Sequence, residues 1–388
     1  MARQRRFERI YDDVEPVEEY RPGGYHPVLL RDILNSRYEV IRKLAYGQFS
    51  TVWLTRDLKN SFYVAVKILK AEASILEGPT ELSILEAIRA NALSYPGAQH
   101  VVQILDSFNH EGPNGTHLCL VFPVMGGDAQ AHARLLPERR YPLAVSKTLS
   151  KQVTQGLQFL HGCDIVHGDL QPGNIVFAVS AADIDEALSK PGTTPCDVRW
   201  KNGVKSDQSA PKHLYVPEPI IDRSLISGQP GHKVMVAITD LGGGAWSPRL
   251  HSRNRLTFTK SFPRALRAPE LISGRSNVSD VRTEIWNLAC LIFELVCGEP
   301  LFCLSTFGLS TKQIDEEHQQ MVEDIVKPAL DQEAAIFEFA TYLHMRTHGR
   351  LGDDVLPLAK LLRHSMLVEP EHRKDALELL SDPWFNAI

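Results

Sequence analysis

The sequence predicts an α+β fold with a strand-rich first third and a mainly helical remainder. Three observations carry this. Strand patterns dominate up to about residue 124: apolar side chains alternate over residues 34–44, a β-branched run fills 62–69, and two more strand-like runs cover 101–108 and 116–124. Helical spacing then takes over in residues 146–160, in the apolar run 285–296, and in late segments at 361–367 and 377–385. At 388 residues, the chain is long enough for one large two-lobed domain or two ordinary ones.

The formal net charge is only -5, which argues against broad nucleic-acid binding as the main role and leaves room for a basic protein substrate. The 6 cysteines show no C-x-x-C pair, so buried reduced thiols are expected rather than a disulfide or zinc framework. The first residues are basic, but residues 7–20 turn acidic and hold no apolar stretch of secretory type, so no signal peptide is expected. No run reaches the roughly 18 apolar residues that a membrane span needs. Cytosol or nucleus is the expected compartment.

Taken in order, residues 1–22 carry many charges and end in Arg21-Pro22-Gly23-Gly24, the pattern of a tail that docks weakly or stays mobile. Between two strand-like runs, Ala45, Gly47 and Ser50 keep the spacing G-x-G-x-x-G. That spacing fits a plain hairpin turn as well as a phosphate cradle. Lys67 lies alone in a β-branched run, where a buried ammonium requires a partner. A helix over 79–93 brings Glu81, with Glu77 as the reserve choice for that partner; a solvated helix acid is the plainer meaning of either. Val124-Met125-Gly126-Gly127-Asp128 then reads as a flexible joint.

Residues 165–174, Ile165-Val166-His167-Gly168-Asp169-Leu170-Gln171-Pro172-Gly173-Asn174, set a carboxylate and a carboxamide on one short loop, a base and a metal ligand. The polar, turn-rich residues 178–232 are too long for an ordinary loop and read as a functional insert or linker, with 215–225 as its most structured part. A strand over 233–239 delivers Asp240-Leu241-Gly242, a frequent metal or phosphate arrangement and equally a frequent turn. Ala268-Pro269-Glu270, Glu284 and Arg373 complete the series.

Together these signals, in one order over residues 36–386, resemble the eukaryotic protein kinases, whose catalytic loop reads H-R-D-x-x-x-x-N. Within them the chain resembles the SR-protein kinases, and among these the divergent type of filamentous fungi. The residues that carry this are Gly23-Gly24-Tyr25-His26, Phe49-Ser50-Thr51-Val52-Trp53-Leu54, Gly115 to Phe122 as Gly-Thr-His-Leu-Cys-Leu-Val-Phe, Asp240-Leu241-Gly242 with Trp246, and Asp315-Glu316-Glu317-His318.

The resemblance implies a two-lobed kinase fold with a tail at 1–22, an N-lobe at 23–124, and a C-lobe at 125–388 that carries the 178–232 insert. It implies an ATP site lined by Leu44, Ala45, Gly47, Val52, Ala65, Phe122 and Val124, with Lys67 on the α- and β-phosphates and Glu81 orienting it. Asn174 and Asp240 would hold Mg²⁺, and Asp169 would deprotonate the incoming Ser or Thr hydroxyl. Gln171 stands where kinases have a Lys that neutralises the transferring phosphate, so slow turnover is expected. Gly168 stands where most have an Arg that pairs with a phosphorylated activation loop, which implies activity without that phosphorylation. Glu284 replaces the Asp that braces the loop, and Arg373 is the expected buried partner of Glu270. The implied substrate is a basic, Arg/Ser-rich splicing factor, phosphorylated by a monomer in cytoplasm and nucleus, with no direct contact to nucleic acid or membrane. Asp315, Glu316 and Glu317 fit either an acidic docking surface or a solvated helix start. Two alternatives stay open: a kinase-shaped scaffold with weak or no turnover, and a small-molecule kinase, for which H-G-D-x-x-x-x-N speaks and against which Ala268-Pro269-Glu270 and Arg373 speak.

Overall fold

Tyr38 to Asp57 sets the frame of the strand-rich part, because two long alternating runs are joined by a turn of small and polar residues. The computed structural model describes residues 5–75, 80–93, 95–221, 234–247, 264–276, 278–305, 307–326 and 332–385. The chain divides into two units, one of Met1–Leu82, Val102–Gly127 and Ala178–Asp222, the other of Ser83–Val101, Asp128–Phe177 and Arg223–Ile388.

In the first unit, β1 (Ile33–Leu34), β2 (Tyr38–Tyr46), β3 (Ser50–Asp57), β4 (Tyr63–Leu69), β5 (Asp106–Gly112) and β6 (Gly115–Phe122) form an antiparallel sheet of order β1-β2-β3-β4-β6-β5. Alternation puts Val40, Trp53, Val64, Val66, Ile68, Cys119 and Val121 into one buried cluster. Leu44, Leu54, Ala65 and Val124 join a second cluster with Ile184 and Ile220. Where a strand was expected over 101–108, the sheet begins only at Asp106. Its carboxylate accepts from Arg37 at 3.0 Å and from the Tyr38 hydroxyl at 2.7 Å, while Val101 bridges to Ile238 in the second unit.

Two expectations are corrected here. Residues 5–22 are no loosely docked tail: Phe7, Val14, Val17 and Tyr20 are buried with Tyr25 and with Leu214 of the insert, and the Phe7 and Trp200 rings lie 4.5 Å apart. Glu15 is buried there with Lys43 and the Tyr20 hydroxyl as its partners. The insert, in turn, carries a helix at Ala181–Ser189, opened by a capping box of Ser180 and Asp183, and a strand pair, Cys196–Asp197 with His213–Leu214. Its described residues belong to the first unit, where the reading by sequence had put them in the C-lobe. The helix and strand pair lie upstream of 215–225, the part expected to be most structured.

Glu81 opens α1 (Glu81–Asn91). In the second unit, α2 (Leu143–Gly162) leads into β7 (Ile165–Val166), and β8 (Ile175–Ala178) follows the loop between them. β8 pairs antiparallel with β9 (Val236–Ile238), and β7 with β10 (Ala245–Trp246). These two short ladders fix both ends of residues 165–174 and both sides of Asp240. α3 (Val281–Cys297) is buried along nearly its whole length, as its apolar run predicts. Asp280 starts it by accepting from the N–H groups of Arg282 and Thr283, and Gly298 ends it at φ 75°. Further helices are α4 (Thr311–Val326), α5 (Gln332–Arg346), α6 (Val355–Ser365) and α7 (Ala376–Leu380).

Candidate active site

Lys67 lies on β4 opposite Val52 of β3 and Leu120 of β6. Its Nζ reaches Glu81 Oε1 at 2.7 Å and Oε2 at 2.9 Å, so the ammonium of the β-branched run has its counter-ion at the first residue of α1. Both side chains are largely withdrawn from water, at 14% and 6% exposure, which keeps the pair from being screened as a surface ion pair would be. Glu77, the reserve choice, lies outside the described residues. Gly47 donates its N–H to the Ser50 carbonyl at 2.9 Å in the turn between β2 and β3, where Ala45 and Gly47 are exposed. Of the apolar residues assigned to the nucleotide, Leu44, Ala65 and Val124 are buried, with Val52 and Phe122 packed beside them. Ile184 and Ile220, missed by sequence reasoning, complete that cluster from the insert.

In the second unit, the loop after β7 gathers around Asp169. Asn174 Nδ2 donates to the Asp169 carbonyl at 2.7 Å and to Oδ2 at 3.0 Å. Gln171 Nε2 donates to both carboxylate oxygens, at 2.8 and 2.9 Å. His167 Nε2 lies 2.9 Å from the Thr239 carbonyl, which ties the loop to the segment that carries Asp240.

Gly168 has φ 80°, and a Cβ there would lie 2.5 Å from the Gly243 carbonyl oxygen. The missing side chain is therefore what lets the two backbones approach. From the other side, buried Glu284 accepts the Gly168 N–H at 2.7 Å through Oε1, while Oε2 lies 3.0 Å from His161 Nε2. Burial pushes the Glu284 carboxyl up, but the His161 hydrogen bond, the charges of His161 and His167 and the Gly168 N–H outweigh it and hold the group below its usual range. Glu284 thus braces the loop, and His161 on α2 is the partner that sequence reasoning missed.

The oxygen donors assigned to Mg²⁺ fit that ion. With Nδ2 turned to Asp169, Asn174 keeps its carboxamide oxygen as an acceptor, and Asp240 is an exposed carboxylate at the end of β9, held at φ 62°. One carboxylate and one neutral oxygen suit a cation that retains waters and phosphate oxygens in its shell. Among the described residues no group of three His, Cys, Asp or Glu side chains is placed to hold a metal by itself.

Arg373 clasps Glu270 with two bonds of 2.7 and 2.8 Å. Asp315 lies 3.5 and 3.6 Å from Arg264 and Arg267, and Glu316 3.6 Å from Lys312, so two of the three acids at 315–317 are already paired. Residues 248–263, which include most of the expected activation segment, lie outside the described residues.

A six-stranded antiparallel sheet with a lysine–glutamate pair, followed by a helical unit with an aspartate–asparagine loop and a strand-end aspartate, defines a protein kinase. The protein kinase domain family matches residues 38–185. The fold is similar to the crystal structure of another kinase domain, with TM-score 0.61 and 17% identity over 93% of this chain and 98% of that one.

The chain is 33% identical over 306 residues to the serine/threonine-protein kinase SRPK of Physarum polycephalum, covering 74% of this chain and 67% of that protein. It is 29% identical to protein kinase dsk1 of Schizosaccharomyces pombe, covering 82% and 71%. It is 37% identical over 175 residues to human SRSF protein kinase 3, covering 45% of this chain and 31% of that protein. The chain belongs to the SRPK family of serine/threonine protein kinases. As a protein kinase it uses ATP and a protein substrate.

Proposed function

We propose that this kinase transfers the γ-phosphoryl group of ATP to serine or threonine in a basic, Arg/Ser-rich protein, with Mg²⁺ as its cofactor. The observation that carries the catalytic part is the Asp169 carboxylate, positioned by Asn174 and Gln171. Lys67, kept in place by Glu81, binds the α- and β-phosphates, and Asp169 accepts the proton of the incoming hydroxyl. The hydroxyl oxygen bonds to the γ-phosphorus as the bond to the bridging oxygen breaks, and ADP leaves. Asn174 and Asp240 would hold Mg²⁺, which would supply positive charge against the phosphates. The chemistry asks little of the protein beyond such positioning.

The substrate class rests on the names of the SRSF kinase relatives, the net charge of -5, and Glu317 on α4, which lies beside the paired Asp315 and Glu316. Cytoplasm and nucleus, where such a substrate would be met, belong to the same proposal, and imaging of the tagged chain checks them.

Incorporation of labelled phosphate into an Arg/Ser-repeat peptide, with an Asp169→Ala control, tests the reading. Transfer to the peptide by the wild type alone is expected. Equal signal in both proteins, or transfer to an acidic peptide in preference, would sink it.

A further inference from the structure

The exposed turn between β2 and β3 has few bonds of its own. They are the Tyr46–Thr51 pairing and the Gly47 N–H on the Ser50 carbonyl. A Cβ on Gly47 would meet nothing within 4 Å. Two anchors come from elsewhere in the same unit. The Tyr25 hydroxyl donates to the Gly47 carbonyl at 2.6 Å, with the Gln48 carbonyl at 3.4 Å, and the Lys70 N–H donates to the Phe49 carbonyl at 2.8 Å.

Tyr25 is itself held firmly. It is 2% exposed; its N–H donates to the Glu19 carbonyl at 3.1 Å, and its carbonyl accepts from Asn114 Nδ2 at 2.6 Å. Lys70 Nζ lies 4.4 Å above the ring centre and is bound to Glu19 at 2.9 Å, and the Tyr20 ring packs 5.6 Å away. A ring so fixed places its hydroxyl at one point in space. Because a trans peptide is planar, fixing the Gly47 carbonyl toward Tyr25 aims the Gln48 N–H the opposite way. Backbone N–H groups of such a turn are the donors that a phosphate group takes.

We propose that Tyr25 is a positioning residue for the nucleotide's phosphates, acting through the Gly47 carbonyl on the turn of residues 45–50. The packed segment 5–25 is then the base on which that turn is mounted. The inference rests on the assignment of this turn to ATP. It differs from a purely structural role in being selective for the phosphate end of the ligand.

The test uses the full chain and Tyr25→Phe, which keeps the ring and removes only the hydroxyl. Titration calorimetry with MgATP and with adenosine is expected to show a Kd for MgATP raised about five-fold, the worth of one typical hydrogen bond, and an unchanged Kd for adenosine. A MgATP affinity equal to that of the wild type overturns the role of Tyr25, whatever the variant's melting temperature. An equal loss for adenosine overturns it too, because it shows a general loosening. Wild-type protein that binds no MgATP overturns the nucleotide assignment itself and the inference with it.

Discussion

Gln171 holds the Asp169 carboxylate by both oxygens, at 2.8 and 2.9 Å from one amide nitrogen. A lysine in this place would bring a full charge to the transferring phosphate; the amide orients the base but adds only neutral donors. The lost charge-assisted contact is worth about 1.5–3 kcal/mol, roughly ten- to a hundredfold in rate. Gln171→Lys is therefore expected to raise kcat by at least about ten-fold. Gln171→Ala, which leaves Asp169 with Asn174 alone, should lower it by a similar factor. Steady-state kcat on an Arg/Ser peptide checks both, and a Gln171→Lys variant no faster than the wild type would refute the expectation that Gln171 slows turnover.

Gly168 and Gly243 define a second expectation. The backbone at Gly168 is left-handed, and a Cβ there would collide with the Gly243 carbonyl at 2.5 Å. No arginine fits at this position without moving the segment that follows Asp240, so the arginine that elsewhere reads a phosphorylated activation loop has no equivalent here. Activity is expected to survive when Ser247, Ser252, Thr257, Thr259 and Ser261 are all changed to Ala. Gly168→Arg should lower activity more than ten-fold through backbone strain and steric overlap. Kinase assays on the two proteins, with folding checked by circular dichroism, decide it. An inactive but folded Ala variant would contradict the first half.

The parts legible in the sequence were those whose chemistry leaves few options. A lysine in an apolar strand needs an acid, and Glu81 supplies it; the spacing of Asp169 and Asn174 is local, and so is the loop they share. Glu270 and Arg373 are 103 residues apart, yet a buried charge of each sign had to find the other. Residues 5–25 hid their role because Phe7, Val14, Val17 and Tyr20 are diluted among charges and bury themselves with partners that include Leu214 and Trp200, roughly two hundred residues on. The insert was obscured in the same way, its turn residues outnumbering Ile184, Leu214 and Ile220. Glu284 looked one methylene too long for its task. The extra length is used: it spans from the Gly168 N–H to His161, a partner 123 residues away that no local pattern could announce.

The Glu270–Arg373 pair sets a stability expectation. Arg373 is 1% and Glu270 5% exposed, and the guanidinium also donates to the carbonyls of Leu367 and Arg282. Arg373→Met would strand a buried carboxylate, at a cost of about 3–5 kcal/mol. Arg373→Lys keeps the charge but loses the two-pronged geometry and should fall between the two. Urea unfolding of the three proteins gives the order directly. A Met variant as stable as the wild type would show that the pair contributes nothing once removed.

His26, His110 and His117 predict how the first unit responds to acid. The His26 ring lies 4.5 Å from that of His110 and 5.0 Å from that of His117, and buried His26 Nδ1 and His117 Nε2 have no hydrogen-bond partner among the described residues. Burial, then the neighbouring charges of His110 and His117, push His26 down to about 3. Burial also lowers His110 and His117, against the opposing pull of Glu111 on both and of Asp32 on His110. The folded protein therefore keeps His26 neutral while the unfolded chain takes up its proton below pH of about 6.5. The stability that His26 contributes is complete above that value and is lost progressively as pH falls toward about 3. Between pH 6.5 and 5 the loss from this one group should be about 1–2 kcal/mol. Urea unfolding at the two pH values should show it in the wild type. The pH dependence should be smaller by about that amount in His26→Gln. An identical acid loss in both proteins would place the sensitivity elsewhere.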